Sequence, residues 1–245
     1  MIRFKWSARV VAGFWVVAAC AASAGEAGPG PGSDRPETDA VRDAGRQPFA
    51  VLEFLGLQAG GTALDVIAAG GYYTEVMSSV VGADGVVYAQ NPARVLRLFE
   101  GRNDRAMTDR LAGNRLPNVH RLDREMSDLG ILDASVDVAI TALNFHDVYN
   151  ISPDGAQAML ASIRQVLKPG GVLGIVDHVG NAGADNAALH RIEPALVIAA
   201  GEAAGFSVES SDLLANAADD HTETPFAPGI RGKTDRFVLK LTKPE

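Results

Sequence analysis

The sequence predicts an α/β protein built on a doubly wound, mostly parallel, seven-stranded sheet with an antiparallel edge strand. Three observations carry that expectation. From about residue 38 onward, short apolar runs alternate with segments of helical spacing, so strand and helix follow one another repeatedly. Repeated strand–helix–strand units join parallel neighbours through crossovers. The last two apolar runs have a long connection but no helix between them, which implies a strand of opposite direction at or near one edge.

Each element follows in order. Residues 62–68 (TALDVIA) read as a buried strand that ends in a Gly70-Gly71 turn. Tyr72–Val81 has helical spacing, with Val76, Met77, Val80 and Val81 on one face. Residues 85–89 (GVVYA) are a second strand, and residues 92–99 a short helix with Val95, Leu96 and Phe99 turned inward. Residues 118–122 form a weaker third strand and 135–143 (SVDVAITAL) a stronger fourth. Ser152-Pro153-Asp154 opens a helix: a capping hydroxyl, a proline in the first turn and a carboxylate near the positive end of the dipole. That helix stops at Lys168-Pro169-Gly170-Gly171, before a fifth strand at 172–176 (VLGIV). Residues 194–204 are helical, with Gly205 suited to the left-handed residue that ends them. Residues 206–211 and 235–241 close the sheet. Ligands of such sheets sit beyond the carboxyl ends of the strands, which singles out residues 65–74, 88–92, 141–149 and 177–180.

Composition narrows the function. The chain is 47% hydrophobic and 21% charged, as expected for an ordinary globular domain. Aromatic residues make up only 6% and the net charge is -8, so neither base stacking nor attraction to phosphate backbones is favoured, and no nucleic-acid partner is expected. The first two dozen residues differ from the rest. Arg3, Lys5 and Arg9 precede an apolar run from Val10 to Ala22, and Ala22-Ser23-Ala24 supplies the small residues of a cleavage site. That is the layout of a secretory signal (residues 1–24), too short for a comfortable membrane span. Its removal takes the 22 basic residues to 19 against 30 acidic, a net charge of -11. Residues 25–37, rich in Gly and Pro, read as a flexible linker, and residues 38–245 as the folded domain. The expected location is the periplasm. Val17-Ala18-Ala19-Cys20 offers the alternative of a lipoprotein anchored through the one cysteine; an uncleaved signal would also place the chain on a membrane.

Two of the singled-out segments resemble a known family. Ala63-Leu64-Asp65-Val66-Ile67-Ala68-Ala69-Gly70-Gly71-Tyr72-Tyr73-Thr74 resembles the first motif of class I S-adenosylmethionine-dependent methyltransferases, and Leu167-Lys168-Pro169-Gly170-Gly171 resembles their later signature. The stretch from His221-Thr222 to Arg236-Phe237 resembles an exported, predicted-methyltransferase subgroup of Gram-negative bacteria. The resemblance covers residues 48–243 and implies a Rossmann-like methyltransferase fold, S-adenosyl-L-methionine as cofactor and methyl transfer to an acceptor, here expected to be a small molecule. Ile67 and Ala69 stand where the family's first two glycines belong, and Asn91 where an acid usually meets the ribose. These departures keep a second reading open, a degenerate cofactor-binding or non-catalytic module. A nicotinamide oxidoreductase is disfavoured, because no Gly-x-Gly-x-x-Gly follows the first strand. An exported enzyme would also need a cofactor made in the cytoplasm to be delivered to it.

Methyl transfer needs positioning and exclusion of water more than a protein nucleophile, so no nucleophilic triad or metal set is expected. The resemblance implies cofactor contacts at Asp65, Ala69, Gly70, Gly71, Tyr72, Asn91, Asp123 and Asn144. Asp65 would anchor the methionine amino group or simply cap the following turn; Tyr72 or Tyr73 would face the sulfonium or pack on the sheet; Asp123 would meet the adenine. Asn144-Phe145-His146-Asp147 follows the fourth strand, where His146 is the candidate base, oriented by Asp147, or else a packed structural histidine. Asp177 and His178 form the next catalytic candidates. His190, Arg191 and Glu193 either line the acceptor pocket or form a capping and salt-bridge cluster. Asp219-Asp220-His221 offers oxygen and nitrogen ligands, but three adjacent residues rarely converge on one ion, and pairing with Arg231 and Lys233 is the simpler reading. N-terminal mass analysis of protein from its native host is expected to find Gly25 as the first residue. An acylated Cys20 would show the lipoprotein instead, and an intact Met1 an uncleaved signal.

Overall fold

The computed structural model describes residues 35–245. The expected signal segment 1–24, Cys20 and the expected linker as far as residue 34 lie outside the described residues. Fourteen helices and strands follow, with one short 3-10 turn at Ala112–Asn114. In chain order they are α1 (Glu37–Arg46), α2 (Pro48–Leu55), β1 (Thr62–Val66), α3 (Tyr72–Val81), β2 (Val86–Gln90), α4 (Ala93–Leu111) and β3 (Val119–Leu122). Then come β4 (Val136–Ala142), α5 (Phe145–Ile151), α6 (Pro153–Val166), β5 (Leu167–His178), α7 (Pro194–Ala203), β6 (Ser207–Ser211) and β7 (Arg236–Thr242).

The strands make one seven-stranded sheet in the order β3-β2-β1-β4-β5-β7-β6. β1 to β5 are mutually parallel, whereas β7 runs antiparallel to both β5 and the edge strand β6. The period-two alternation of side chains builds the two layers. Leu173 and Ile175 of β5, with Phe237, Leu239 and Leu241 of β7, join a core completed by α6 and α7. Val172 and Val176 of β5, with Val238 of β7, join the opposite core under α2 and α3. The strand order reverses between β1 and β4, and the loops leaving those two strands open a crevice at the carboxyl edge.

Most differences from the sequence reading lie in the helices, although β5 also begins at Leu167, so that Lys168-Pro169-Gly170-Gly171, expected to separate helix from strand, lies within the strand. The polar α1 carries no apolar stripe; it is seated instead by buried Asp39, which accepts from Arg110 Nη2 at 2.6 Å and is also bonded by Arg42. The helix expected at 92–99 continues to Leu111 after a break, where Phe99, Glu100 and Gly101 take φ of 53, 57 and 77°. That break turns Phe99 outward, 64% exposed rather than buried. Residues 145–151, read as loop, are helical. The first backbone N–H groups of a helix lack partners of their own, and here His146 N–H donates to Asp177 Oδ2 at 2.8 Å, a cap supplied from another strand. Among the described residues no helix is long and apolar enough to cross a membrane.

α2 reaches the sheet at Gly174 of β5. A Cβ at that position would collide with Leu55 Cδ1, and Leu55 is itself buried. Gly174→Ala is therefore expected to lower stability by about 1–3 kcal/mol through overpacking, read as a fall in the thermal unfolding midpoint.

Candidate active site

The turn after β1 sets the geometry. Asp65 ends the strand, 3% exposed, and accepts from Thr74 Oγ1 at 2.6 Å, so it ties α3 to β1. Burial pushes its carboxyl up to about 7, against the hydrogen bonds from Thr74 and the charge of Arg110. In the unliganded chain this shift favours folding at acid pH, and the contribution is lost as pH rises from the ordinary carboxyl range through about 7. Ile67 and Ala69 take left-handed backbone, with φ of 56 and 50°. Both residues lie in the left-handed region that favours glycine, and a β-branched residue there is a true outlier.

Three amide side chains hold the turn. Gln90 Oε1 accepts from Ile67 N–H at 3.1 Å, and Asn91 Oδ1 from Ala69 N–H at 2.8 Å. Asn91 Nδ2 donates back to Ala69 O at 3.1 Å, and Asn144 Nδ2 donates to Ile67 O at 3.2 Å and Ala142 O at 2.8 Å. Asn91 is fully buried and does not reach the crevice, so the expected ribose contact is replaced by a structural one. The role of Gln90 was missed, although the pair of amides directly after the second strand was its signal.

The crevice holds a cavity of about 1250 Å³, bordered by Asp65, the backbone of Ile67 to Gly70, Leu143-Asn144, and Leu98-Phe99 of α4. Gly71 does not line it: a Cβ there would lie 2.9 Å from Arg110 Cδ, so this glycine admits α4, whose Arg110 Nε donates to Gly70 O at 2.7 Å. Tyr72 lines the cavity, but its ring has the guanidiniums of Arg42 and Arg46 each 4.6 Å from its centroid, and its hydroxyl donates to Asp43 at 2.6 Å. The aromatic face expected for a sulfonium is already occupied. Asp123 is exposed, paired with Arg121 at 2.8 Å and outside the cavity, which corrects the expected adenine contact. Arg46 was missed by the sequence reading; it lines the cavity and forms no ion pair with a described carboxylate.

α5 brings the other candidates together. His146 is 3% exposed; its Nδ1 lies 2.7 Å from Asp177 Oδ1, and Asp177 is fully buried and also accepts from His178 N–H at 2.8 Å. Asp177, not Asp147, orients the imidazole, because the first turn of α5 aims residue 146 at β5 and residue 147 at the cavity. Asp147 is half-exposed there, 3.3 Å from His146 Nε2 and 3.1 Å from His190 Nδ1. The 3.3 Å approach is out of line, and His146 Nε2 is left buried without a hydrogen bond. Burial works against a charged His146, yet Asp147 and Asp177 outweigh it and raise the imidazole to about 10. The rate limb near pH 6–7 that an unshifted histidine base would give is thereby lost. His146 lowers the Asp147 carboxyl in return. His178 goes the other way, down to about 3, because it is buried.

The late connection completes the wall. Arg191 is fully buried and donates to Asp219 Oδ2 at 2.9 Å, Val179 O at 2.8 Å and Glu223 O at 2.9 Å. It is a structural clamp, and it places His190, Phe226 and Arg231 on the cavity. Asp219, Asp220 and His221 do not converge: Asp219 pairs with Arg191, Asp220 accepts from Thr222, and His221 Nε2 lies 2.9 Å from Asp235 Oδ2. Arg231 faces the cavity instead of pairing with those acids.

Strain at the turn is measurable. Ala69→Gly is expected to stabilise the fold by up to about 1 kcal/mol by removing a left-handed alanine. Ile67→Gly should destabilise it, because Ile67 is 6% exposed and part of the core. Denaturant unfolding of both variants checks the pair of signs.

Comparison with known proteins agrees with this geometry. Residues 64–175 match the family model described as a methyltransferase domain. No curated protein sequence matches the chain. An S-adenosylmethionine-dependent methyltransferase from Aquifex aeolicus superposes with a TM-score of 0.60 at 22% identity, covering 84% of this chain and 96% of that one. The 4+2 cyclase SpnF superposes at 0.61 with 18% identity, covering 82% and 81%. A putative methyltransferase of Haloferax volcanii, in complex with its Trm112 activator, gives 0.58 at 20% identity over 85% and 93%. The chain thus has the Rossmann-like fold seen in class I S-adenosylmethionine-dependent methyltransferases, and its residues 64–175 are similar to a methyltransferase domain.

Proposed function

We propose that this protein transfers the methyl group of S-adenosyl-L-methionine to a small-molecule acceptor. The observation that carries the reading is the cavity at the switch point, bordered by buried Asp65 and by a turn that keeps a glycine-type backbone without the glycines. The chain's own groups fit the cofactor: Asp65 would hold its amino group and Arg46 its carboxylate, and both line the same cavity. When bound, the cofactor supplies an electrophilic methyl group. The residues around it position the partners and exclude water, which is the larger part of what such a displacement requires. At about 1250 Å³ the cavity exceeds the roughly 300–1000 Å³ of a typical small-molecule pocket, leaving room for an acceptor. Asp147, His190 and Arg231 border that room, and Arg231 favours an acceptor bearing an anionic group. Asp147, kept ionised by His146, is the group placed to take a proton from the acceptor.

A second reading is supported by the missing ribose acid: Asn91 is turned into the turn and Asp123 lies outside the cavity. SpnF is described as a cyclase, so the fold admits other activities. Calorimetry with S-adenosylhomocysteine separates the two. Saturable binding in the micromolar range, about -8 kcal/mol or less favourable, supports methyl transfer; no saturable heat supports the non-catalytic module. Affinity is expected to rise about tenfold per pH unit up to pH about 7 and then level off, as Asp65 ionises to meet the ammonium group. Asp65→Asn should weaken binding and flatten that slope.

A further inference from the structure

We propose that His146, Asp147 and His190 form a binding site for one first-row divalent transition-metal ion, open toward the cavity. The sequence reading looked for ligands among adjacent residues; the structure assembles two adjacent residues with one that arrives from a distant connection. One ligand atom from each of the three lies within 4.8 Å of the others. Asp147 Oδ1 stands 3.3 Å from His146 Nε2 and 3.1 Å from His190 Nδ1. Ligand atoms about 2.0–2.2 Å from one metal ion are separated by roughly 3.0–3.5 Å, so the spacing suits shared coordination.

The independent observation is His146 Nε2. It is buried, has no hydrogen bond and is aimed at Asp147, while the side chain as a whole is 4% exposed. Its other nitrogen is engaged by Asp177 at 2.7 Å, and Asp177 is fully buried. This is the carboxylate–histidine–metal arrangement, in which the outer carboxylate fixes the tautomer and leaves the second nitrogen as a ligand. A buried polar atom without a partner destabilises the fold, and a metal bond would remove that cost.

The remaining ligands are held by the fold. Asn150 Nδ2 of α5 donates to Arg191 O at 3.0 Å, linking the helix that carries His146 and Asp147 to the segment that carries His190. The Arg191–Asp219 pair, both side chains buried, fixes that segment from behind. His190 takes a left-handed φ of 51° and stands edge-on to Phe226 at 5.1 Å. Two imidazoles and one carboxylate suit zinc, ferrous or manganous ions better than magnesium or calcium. Three protein ligands leave positions for outside donors, and Asp147 and His190 both face the cavity. If the methyl-transfer reading holds, the acceptor's oxygen, nitrogen or sulfur would occupy one of them; metal binding itself does not depend on that reading.

The test uses the full-length chain carrying Cys20→Ser, so that the sole thiol does not compete, stripped with a chelator and titrated with Zn²⁺ at about pH 8 and above; the ion must displace the proton that Asp147 and Asp177 favour on His146, so binding tightens as pH rises. One equivalent is expected to bind with micromolar or tighter affinity, and Co²⁺ in its place should give the visible absorption bands of a nitrogen- and oxygen-ligated ion. His190→Ala, at a half-exposed position, should weaken Zn²⁺ at least tenfold without unfolding the chain. Asp177→Asn should weaken it about 10–100-fold, whereas His221→Ala should leave it unchanged. Absence of a stoichiometric site, or Zn²⁺ binding unaffected by His190→Ala, overturns the proposal. S-adenosylhomocysteine is titrated into the same samples: its binding without zinc uptake rejects the metal site alone, and zinc uptake without its binding rejects the methyl-transfer reading alone.

Discussion

The left-handed turn between β1 and α3 is the constraint on which the carboxyl edge of the sheet depends. A non-glycine residue in that region costs about 1–2 kcal/mol, and two occur here, Ile67 and Ala69, two residues apart. Nothing local to the turn offsets that cost. Hydrogen bonds from Gln90, Asn91 and Asn144 do, each worth about 0.5–1.5 kcal/mol net, and they come from the ends of β2 and β4. The departures from the family pattern are therefore one change rather than two. A carboxylate at position 91 could accept from Ala69 N–H but not donate to Ala69 O; only an amide does both. Asn91 is thereby part of the support for the turn.

A second long-range constraint organises the α5 side of the cavity. Asp177, at the end of β5, accepts from the backbone and the ring of His146 and so caps a short helix that has no side-chain cap of its own. In the last turn of that helix, Asn150 fastens the connection that delivers His190. The arrangement gathers two carboxylates and three histidine rings, His146 lying 6.1 Å from His178 and 5.6 Å from His190. Their environments shift the imidazoles in opposite directions: two carboxylates raise His146, and burial lowers His178.

The cofactor side is held by charge as much as by apolar packing. Arg110 binds Asp39 of α1, Glu75 of α3 and the carbonyl of Gly70, while Arg115 also pairs with Glu75. Glu75 and Asp39 are buried, and each is compensated by two arginines, Glu75 by Arg110 and Arg115 and Asp39 by Arg110 and Arg42. The network explains why so polar a helix as α1 is folded onto the domain, and why it forms a wall of the cavity with Arg42 and Arg46.

The sequence by itself determined the strand–helix order, all seven strands to within a few residues at most ends, and the antiparallel return of β7, because period-two and helical spacings and turn residues are local properties. It also pointed to Asp65, Asn144, His146, Asp147 and Asp177 as a group, since strand ends at a switch point converge in any sheet of this class. Only the tertiary structure decided what each of them does. The exchange of roles between Asp147 and Asp177 depends on which way the first turn of α5 faces, and that helix is capped from β5. The outward turn of Phe99 depends on a break at Leu98–Gly101. The recruitment of His190 depends on a buried ion pair between residues 191 and 219. The structural use of Asn91 depends on a backbone conformation that isoleucine and alanine adopt only when other strands hold it. Spacing along the chain carries the sheet; the partners of a buried polar group come from elsewhere in the chain, and only the folded packing brings them within hydrogen-bond reach.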